Sequence, residues 1–241
     1  MKKNMKNMIC LVMVLLMVLS VPAAFAAEAA SASITVTGTA SVRIAPDFAT
    51  VHIGVTTQAA TVADAQAENS KLVTAVIEAL AAQGIQETDM QTSQLNVSPV
   101  MNFEKVRLDG APTIAGYNMS NTLQIIVRDL DELGTTIDAA MNAGANESYG
   151  LSFDSTGRSD AYDQALALAT AEALRKATLL ADAAQQTLGS LVSLTEQGAA
   201  NISAISGRNM AFAAGAEMAT TPTMGGELVV EATVTAAYAV K

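Results

Sequence analysis

Two neighbouring stretches near the start of the chain alternate between apolar and polar positions. In residues 34–44 every even position is apolar or glycine, and in residues 49–55 every odd position is apolar. Successive strand side chains point to opposite faces, so each stretch predicts a strand with one buried face, which favours an antiparallel sheet. The turn residues 45–47 between them predict a β-hairpin. Gly38, on the apolar side, indicates a bulge or a close helix contact.

Apolar residues spaced by three or four predict three helices. The first is expected over residues 61–83, where Thr61 and Asp64 resemble a capping box, and the others over residues 129–144 and 159–188. The third helix has a stripe rich in alanine, which permits close approach to a sheet or to another helix. Its members are Tyr162, Leu166, Ala169, Ala173, Ala177, Leu180, Ala184 and Leu188.

The remaining alternating stretches predict further strands and two loops. The strands are expected over residues 94–101, 117–127, 149–153, 190–196 and 227–240. Pro99 would interrupt its strand or place it at an edge. Residues 102–112 are expected to form a polar loop and residues 198–226 a long mobile loop. The order ββαββαβαββ predicts an α+β fold, with three helices in one layer and a mainly antiparallel sheet in the other.

The first 26 residues have the features of a secretory signal peptide. Three lysines precede an apolar run over residues 8–19, and an A-x-A cleavage site ends at Ala26. The run is shorter than the ~20 residues that a membrane span needs. Cleavage before Ala27 is therefore expected rather than a retained anchor, with residues 27–241 forming one exported domain in the periplasm or outside the cell.

Charge and cysteine content narrow the chemistry of the exported domain. The chain has 13 Lys and Arg against 23 Asp and Glu, a net charge of −10. Loss of three signal lysines leaves 10 basic residues against 23 acidic ones, or −13. This acidity argues against nucleic acid and anionic membranes as partners. Loss of Cys10, the only cysteine, excludes disulfides, thiolate metal sites and cysteine catalysis.

The candidate catalytic residues have simpler structural explanations. His52, the only histidine, falls on the polar side of its strand, and no G-x-S-x-G motif accompanies it. The carboxylates of Asp129, Asp131 and Glu132 lack the spacing of a calcium loop and suit a helix start. We therefore expect no catalytic, metal or cofactor site, and no enzymatic activity.

Two further sets of residues leave alternatives open. Asp47 and Asp154 would make an acid pair only if the fold brought them together, so a hydrolase is the weakest hypothesis. Three methionines of the predicted mobile loop could act as reversible oxidant traps, as loop filler, or as adhesive contacts. They are Met210, Met218 and Met224.

Four blocks of the sequence resemble the SIMPL family of exported bacterial proteins. They are ITVTGTASVRIAPDFATVHIGV, then AQAENS with GIQETDMQTSQLNVSPV, then IAGYNMSNTLQIIVRDLDELGTTIDAAMNAGAN, and finally ALRKATLLADAA with VVEATVTAAYAV. They follow one another over nearly all of the predicted mature chain. The family includes a periplasmic antigen and a protein linked to oxidative-stress protection. The resemblance implies ring-like or channel-like oligomers and supplies no active-site motif.

These observations predict a non-enzymatic exported envelope protein that self-associates and supports stress tolerance. The alternative is a module that binds a peptide or small ligand at an exposed sheet edge or at the long loop. Self-association is expected through the alanine stripe, or through strand 227–240 if that strand lies at an edge. The same alanines could instead face their own sheet, and the strand could be central.

Overall fold

The structure, a computed structural model, describes residues 32–106, 110–198, 201–205 and 221–241, with backbone alone for residues 105, 106 and 201–205. The predicted signal segment, Met210 and Met218 lie outside these residues. The strands are β1 (Ser33–Ile44), β2 (Phe48–Ala59), β3 (Met90–Val106), β4 (Pro112–Val127), β5 (Glu147–Asp154), β6 (Leu188–Glu196), β7 (Asn201–Ile205) and β8 (Glu227–Val240). The helices are α1 (Val62–Ala82), α2 (Leu133–Asn142) and α3 (Arg158–Ala183), with a short 3-10 turn at Glu87–Asp89.

The strands of the described chain form two antiparallel sheets. In sheet 1, β8 lies between β1 and β6, and β7 pairs with the first part of β8. In sheet 2 the order is β3-β4-β2-β5. The predicted α+β class, with three helices and antiparallel strands, is confirmed. The strands are divided between two sheets, and β7 is a strand that the sequence pattern did not predict.

The predicted hairpin of β1 and β2 is wrong, because the two strands belong to different sheets. β1 pairs with β8 along its whole length without a register shift, and β2 pairs with β4 and β5. The intervening turn crosses from sheet 1 to sheet 2, where the Asp47 backbone N–H donates to the Asp154 carbonyl at 3.0 Å. Alternation of apolar and polar residues indicates which side of a strand is buried, but it does not indicate which other strand it pairs with.

Helix α3 packs on one face of sheet 1 through a stripe of fully buried alanines, with the half-buried Leu166 beside it. The buried positions recur every four residues and are at most 2% exposed. A β-carbon at Gly38 of β1 would lie 2.7 Å from the backbone nitrogen of Ala173, which confirms the predicted helix contact. The buried alanines are Ala161, Ala165, Ala169, Ala173, Ala177 and Ala181.

This packing corrects the predicted stripe and its role. Leu180 is 48% exposed and Ala184 is exposed, and α3 ends before Leu188, which begins β6. The buried alanines face their own sheet, and β8 is a central strand. Both features from which self-association was predicted are therefore occupied within a single chain.

Helices α1 and α2 cover one face of sheet 2. The apolar residues of β2 lie beneath them, and Ile53 is 1% exposed, as the alternation predicted. Thr61 caps α1 by accepting a hydrogen bond from the Asp64 backbone N–H at 3.1 Å, which confirms the predicted cap. The buried Asn69 amide donates to the carbonyls of Val55 at 2.7 Å and Met119 at 3.1 Å. Asn69 thereby ties α1 to both central strands.

The β3–β4 hairpin extends beyond the rest of sheet 2. Pairing between β2 and β4 stops at Ala59 and Tyr117, whereas β3 and β4 stay paired as far as Val106 and Pro112. Most of the loop predicted over 102–112 is therefore strand. We call residues 100–106 and 112–116 the hairpin arm. β3 is the outermost strand, so the edge position predicted from Pro99 is confirmed.

The segment predicted as a mobile loop, 198–226, contains ordered contacts at both ends. Its residues 201–205 form β7, which contradicts a continuous loop. At the other end, the Thr221 backbone N–H and hydroxyl donate to the Asp138 carboxylate at 3.0 and 2.6 Å. Gly225 lies so close to Pro46 and Phe153 that a β-carbon there would be 2.9 Å from the proline ring.

Candidate functional site

The face of sheet 2 opposite α1 and α2, which we call the open face, carries polar side chains from all four strands. They belong to the positions that alternate with the buried residues of β2 and β4. The strand register places them in rows that cross the sheet. One row is Gln91, Gln124, His52 and Tyr149, the next is Gln94, Thr122, Gly54 and Glu147, and the third is Asn96, Ser120 and Thr56.

His52 lies at the centre of this face and is half-buried, in agreement with its predicted polar position. Its ring stacks on Tyr149, with ring centroids 5.3 Å apart and planes inclined by 10°. Its Nδ1 lies 3.3 Å from the Ser93 hydroxyl oxygen, and that hydroxyl donates to the Thr122 carbonyl at 3.3 Å. Ser93 is the extra residue of a bulge in β3, and a bulge redirects a side chain.

The Ser93 hydroxyl joins His52 to the backbone of β4. Its oxygen lies 3.3 Å both from His52 Nδ1 and from the Thr122 carbonyl oxygen, and its one proton can be donated to only one of them. In either arrangement the contact holds the imidazole ring in place.

A bulge in β5 brings Tyr149 to the open face. Two steps along β2, from Thr50 to His52, oppose three steps along β5, and Gly150 within the bulge has φ of +67°. A β-carbon at Gly150 would lie 2.9 Å from Cδ2 of His52, so glycine allows the backbone to approach the ring. Tyr149 is 48% exposed and Leu151 is 40% exposed, unlike the buried side that their alternation with Phe153 suggested.

Glu147 is the one carboxylate in the three rows. It accepts a hydrogen bond from the Thr56 hydroxyl at 2.7 Å, and a β-carbon at Gly54 would lie 3.0 Å from its Oε2. The neighbouring Asn146 side chain accepts from the Thr56 backbone N–H at 2.8 Å and donates to its carbonyl at 2.7 Å. These contacts fix the position of the carboxylate on the sheet.

The carboxylates of Asp47 and Asp154, the acid pair of the weakest hypothesis, have different partners. Although Asp47 and Asp154 are joined through their backbones, the Asp47 carboxylate accepts from the Thr156 backbone N–H at 2.9 Å and also from its hydroxyl. The Thr156 hydroxyl hydrogen bond is the main cause that lowers the pKa of Asp47. The Asp154 carboxylate is paired with Arg158. A general acid needs a raised pKa, so this arrangement does not provide one.

The carboxylates near α2 organise the start of that helix, which begins at Leu133 rather than at Asp129. Asp129 accepts from the Asp131 backbone N–H at 3.1 Å, and Glu132 accepts from the Thr135 hydroxyl at 2.7 Å. Across the described ranges, no three His, Cys, Asp or Glu side chains are placed to share a metal ion.

The hairpin arm exposes large apolar side chains. Phe103 is 77% exposed, Ile114 53% and Met101 38%. Toward the body of the sheet, Leu95 and Val97 of the same edge strand are 62% and 42% exposed. Exposed apolar residues that occur together, rather than singly, are typical of a contact surface.

The fold and these surfaces define an α+β protein of two antiparallel sheets. The chain belongs to the SIMPL family, described as a protein of unknown function (DUF541), whose profile matches residues 34–238. The resemblance that the sequence indicated is thus confirmed. Among the described helices, none has both the length and the apolar character needed to cross a membrane.

Relatives include the 26 kDa periplasmic immunogenic proteins of Brucella melitensis and Brucella abortus. This chain is 34% identical to them over 167 residues, which are 68% of this chain and 66% of each relative. It is 32% identical over 162 residues to Escherichia coli (strain K12) YggE, which is described as uncharacterized; these residues are 67% of this chain and 64% of YggE. The chain thus spans slightly less than two thirds of the length of these relatives.

Sequence reasoning placed His52 on the polar side of its strand, without assigning it to a site, and missed the residues that contact it. Ser93 and Tyr149 reach the open face through bulges, which change the alternation on which the prediction relied. The one local signal was Gly150, a glycine within a strand, which is typical of a bulge.

Proposed function

We propose that this chain is an exported envelope protein, without enzymatic activity, that self-associates through the hairpin arm. The observation that carries the proposal is the exposure of Phe103, at 77% of its surface, with Ile114 and Met101 beside it. Full burial of one such side chain contributes roughly 1.5–3 kcal/mol. A second copy of this chain would supply an apolar surface of the same kind, as in a two-fold symmetric contact.

The edge position of β3 limits how two copies would meet. An unpaired edge strand is a template for pairing with another chain. Pro99, in the middle of β3, lacks the backbone N–H that a continuous ladder would need. We therefore favour side-chain packing between two arms over one long intermolecular sheet.

Export is supported by the signal features of residues 1–26 and by the relatives that are named periplasmic. Mass spectrometry of the protein recovered from the envelope fraction should give an N-terminus near Ala27. Recovery of chains that retain residues 1–26 would contradict cleavage and favour a membrane anchor.

A role in oxidative-stress tolerance is supported by exposed methionines. Met224 is 62% exposed and Met141 is 40% exposed. Exposed methionine oxidises reversibly to the sulfoxide. Replacing Met210, Met218 and Met224 together with leucine should reduce survival in hypochlorous acid without changing the melting temperature. Unchanged survival would contradict the methionine-trap role.

Cysteine trapping tests the arm contact. Cys10 is the only cysteine, so a Cys10→Ser chain carries no other thiol. Adding Phe103→Cys should give disulfide-linked dimers under mild oxidation. The control is Leu168→Cys on α3, because Leu168 is also an exposed apolar residue, at 53%. Equal cross-linking of the two variants, or none at Phe103→Cys, would contradict the proposed contact.

A second candidate function is a module that binds a small ligand. The observation that favours it is the set of fixed polar side chains around His52 and Tyr149 on the open face. This surface is distinct from the hairpin arm, so binding and self-association are separate proposals.

A further inference from the structure

We propose that the open face of sheet 2 binds a neutral carbohydrate, with Tyr149 as the stacking surface. This inference names the ligand class for the second candidate function, on which it rests, and is independent of self-association. The chemistry begins with the three rows of side chains. Amides and hydroxyls both donate and accept hydrogen bonds, as sugar hydroxyls do. The rows present such groups at exposed or half-buried positions, whereas Thr122 is buried; they are Gln91, Gln94, Asn96, Ser120 and Gln124.

Tyr149 offers the apolar contact that a sugar ring needs. One side of its ring is covered by His52, and the side chain is 48% exposed. β5 is the outermost strand of sheet 2, so no further strand of the described chain flanks Tyr149 on that side. The C–H groups of a pyranose can pack on an aromatic ring while the sugar hydroxyls turn to polar neighbours.

The polar neighbours are held in place before any ligand arrives. His52 is fixed by its contact with the Ser93 hydroxyl and by the approach of Gly150. Glu147 is fixed by the Thr56 hydroxyl at 2.7 Å. Side chains that are ordered in advance lose less conformational entropy when a ligand binds, which increases affinity.

The charged residues in the three rows of the open face favour a neutral ligand. Glu147 is the one carboxylate in the three rows, and no lysine or arginine stands among those residues. The whole chain also has a net charge of −10. An acidic sugar would meet repulsion with no cation to offset it. A cationic ligand would leave most of the neutral amides and hydroxyls unused.

The same rows favour binding over cleavage. Glycosidases use two carboxyl groups about 5–9.5 Å apart on either side of the bond that breaks. Glu147 is the one carboxylate in the three rows, so the rows do not contain the second carboxyl group that this chemistry needs. The open face therefore holds a carbohydrate without hydrolysing it.

Isothermal titration calorimetry of the exported protein tests the proposal with three neutral probes, cellohexaose, maltohexaose and chitohexaose. We expect heat of binding with at least one of them. Tyr149→Ala should weaken that affinity by about tenfold, since an aromatic contact is lost. Tyr149→Phe keeps the ring and should bind like the wild type. Leu180→Ala, an exposed apolar change on α3, is the matched control and should also bind normally.

Four results would overturn the proposal: no binding of any of the three probes, unchanged affinity in Tyr149→Ala, loss of affinity in Tyr149→Phe or Leu180→Ala, or tighter binding of a hexagalacturonate than of the neutral sugars. The variant Phe103→Asp separates the two functions. It should lose self-association and keep sugar binding, because the arm and the open face do not share residues.

Discussion

A β-carbon at Gly38 of β1 would lie 2.0 Å from the carbonyl oxygen of Ala169 in α3. The obstructing atom belongs to the helix backbone, which cannot turn aside as a flexible side chain can. Gly38→Ala should therefore lower the free energy of unfolding by about 1–3 kcal/mol or more. Urea unfolding measures the change. The control is Thr39→Ala, at the neighbouring exposed position, and a similar loss in both variants would contradict the close contact.

The alanine stripe of α3 gives a second prediction. Ala173 is fully buried against sheet 1, so Ala173→Glu would bury an unpaired carboxylate and should unfold the protein or destabilise it by several kcal/mol. Ala171→Glu places the same charge at an exposed position of the same helix and should have little effect. Circular dichroism melting compares them. A folded Ala173→Glu protein that had only lost self-association would place the stripe at an interface instead.

The faces of β2 can be tested with a matched pair of substitutions. Ile53 is 1% exposed beneath α1 and α2, whereas Thr50 is half-buried on the open face. Ile53→Asp should destabilise the protein by several kcal/mol, because the carboxylate has no partner in the apolar core. Thr50→Asp should lower the free energy of unfolding only slightly. Chemical denaturation decides the question, and equal losses would mean that the two faces of the strand are wrongly assigned.

These cases show how far the sequence could predict the fold. Alternation correctly identified the buried side of β1 and β2, because that pattern follows from strand geometry alone. The pairing of β1 with β8 joins residues about 200 positions apart in the sequence, and no local signal indicates it. Of the buried alanines of α3, the predicted stripe included only Ala169, Ala173 and Ala177, and the sequence pattern could not decide whether they face a sheet or another chain. Gly38 was the relevant signal, because this glycine of β1 lets the sheet approach the helix backbone at Ala169 and Ala173.

The candidate site was less predictable than the fold. His52 was placed correctly by its position in the alternation. The stacking of Tyr149 and the contact with Ser93 depend on two bulges, each of which adds a residue to one strand of a pair. The length of the hairpin arm was underestimated because polar residues such as Asn102 and Glu104 suggested a loop over residues 102–112, although pairing between strands continues through this region.

Glu172 of α3 predicts a pH-dependent contribution to stability. Its hydrogen bonds with Arg175, with Lys176 also nearby, lower its pKa from 4.5 to about 2. Because the pKa in the folded protein lies below the unfolded value, the stabilisation is complete above pH 4.5 and is lost as the pH falls toward 2. Glu172→Gln should therefore be less stable than the wild type at neutral pH, and this difference should shrink across that window.

Denaturant titrations of wild type and Glu172→Gln at several pH values measure this difference. The effect should be small, since the group is partly solvated. Glu68→Gln on α1 is the matched control, because Glu68 is an exposed helical glutamate. A difference between wild type and Glu172→Gln that stayed constant from pH 7 to about 2 would contradict the lowered pKa.

Self-association through the hairpin arm is tested most directly by light scattering over a dilution series of the exported protein. We expect a mass of more than one chain at high concentration, which falls toward the mass of one chain on dilution. Phe103→Asp should have the mass of one chain throughout, whereas Leu168→Asp, on exposed α3 surface, should behave like the wild type. A wild-type protein with the mass of one chain at every concentration would contradict self-association.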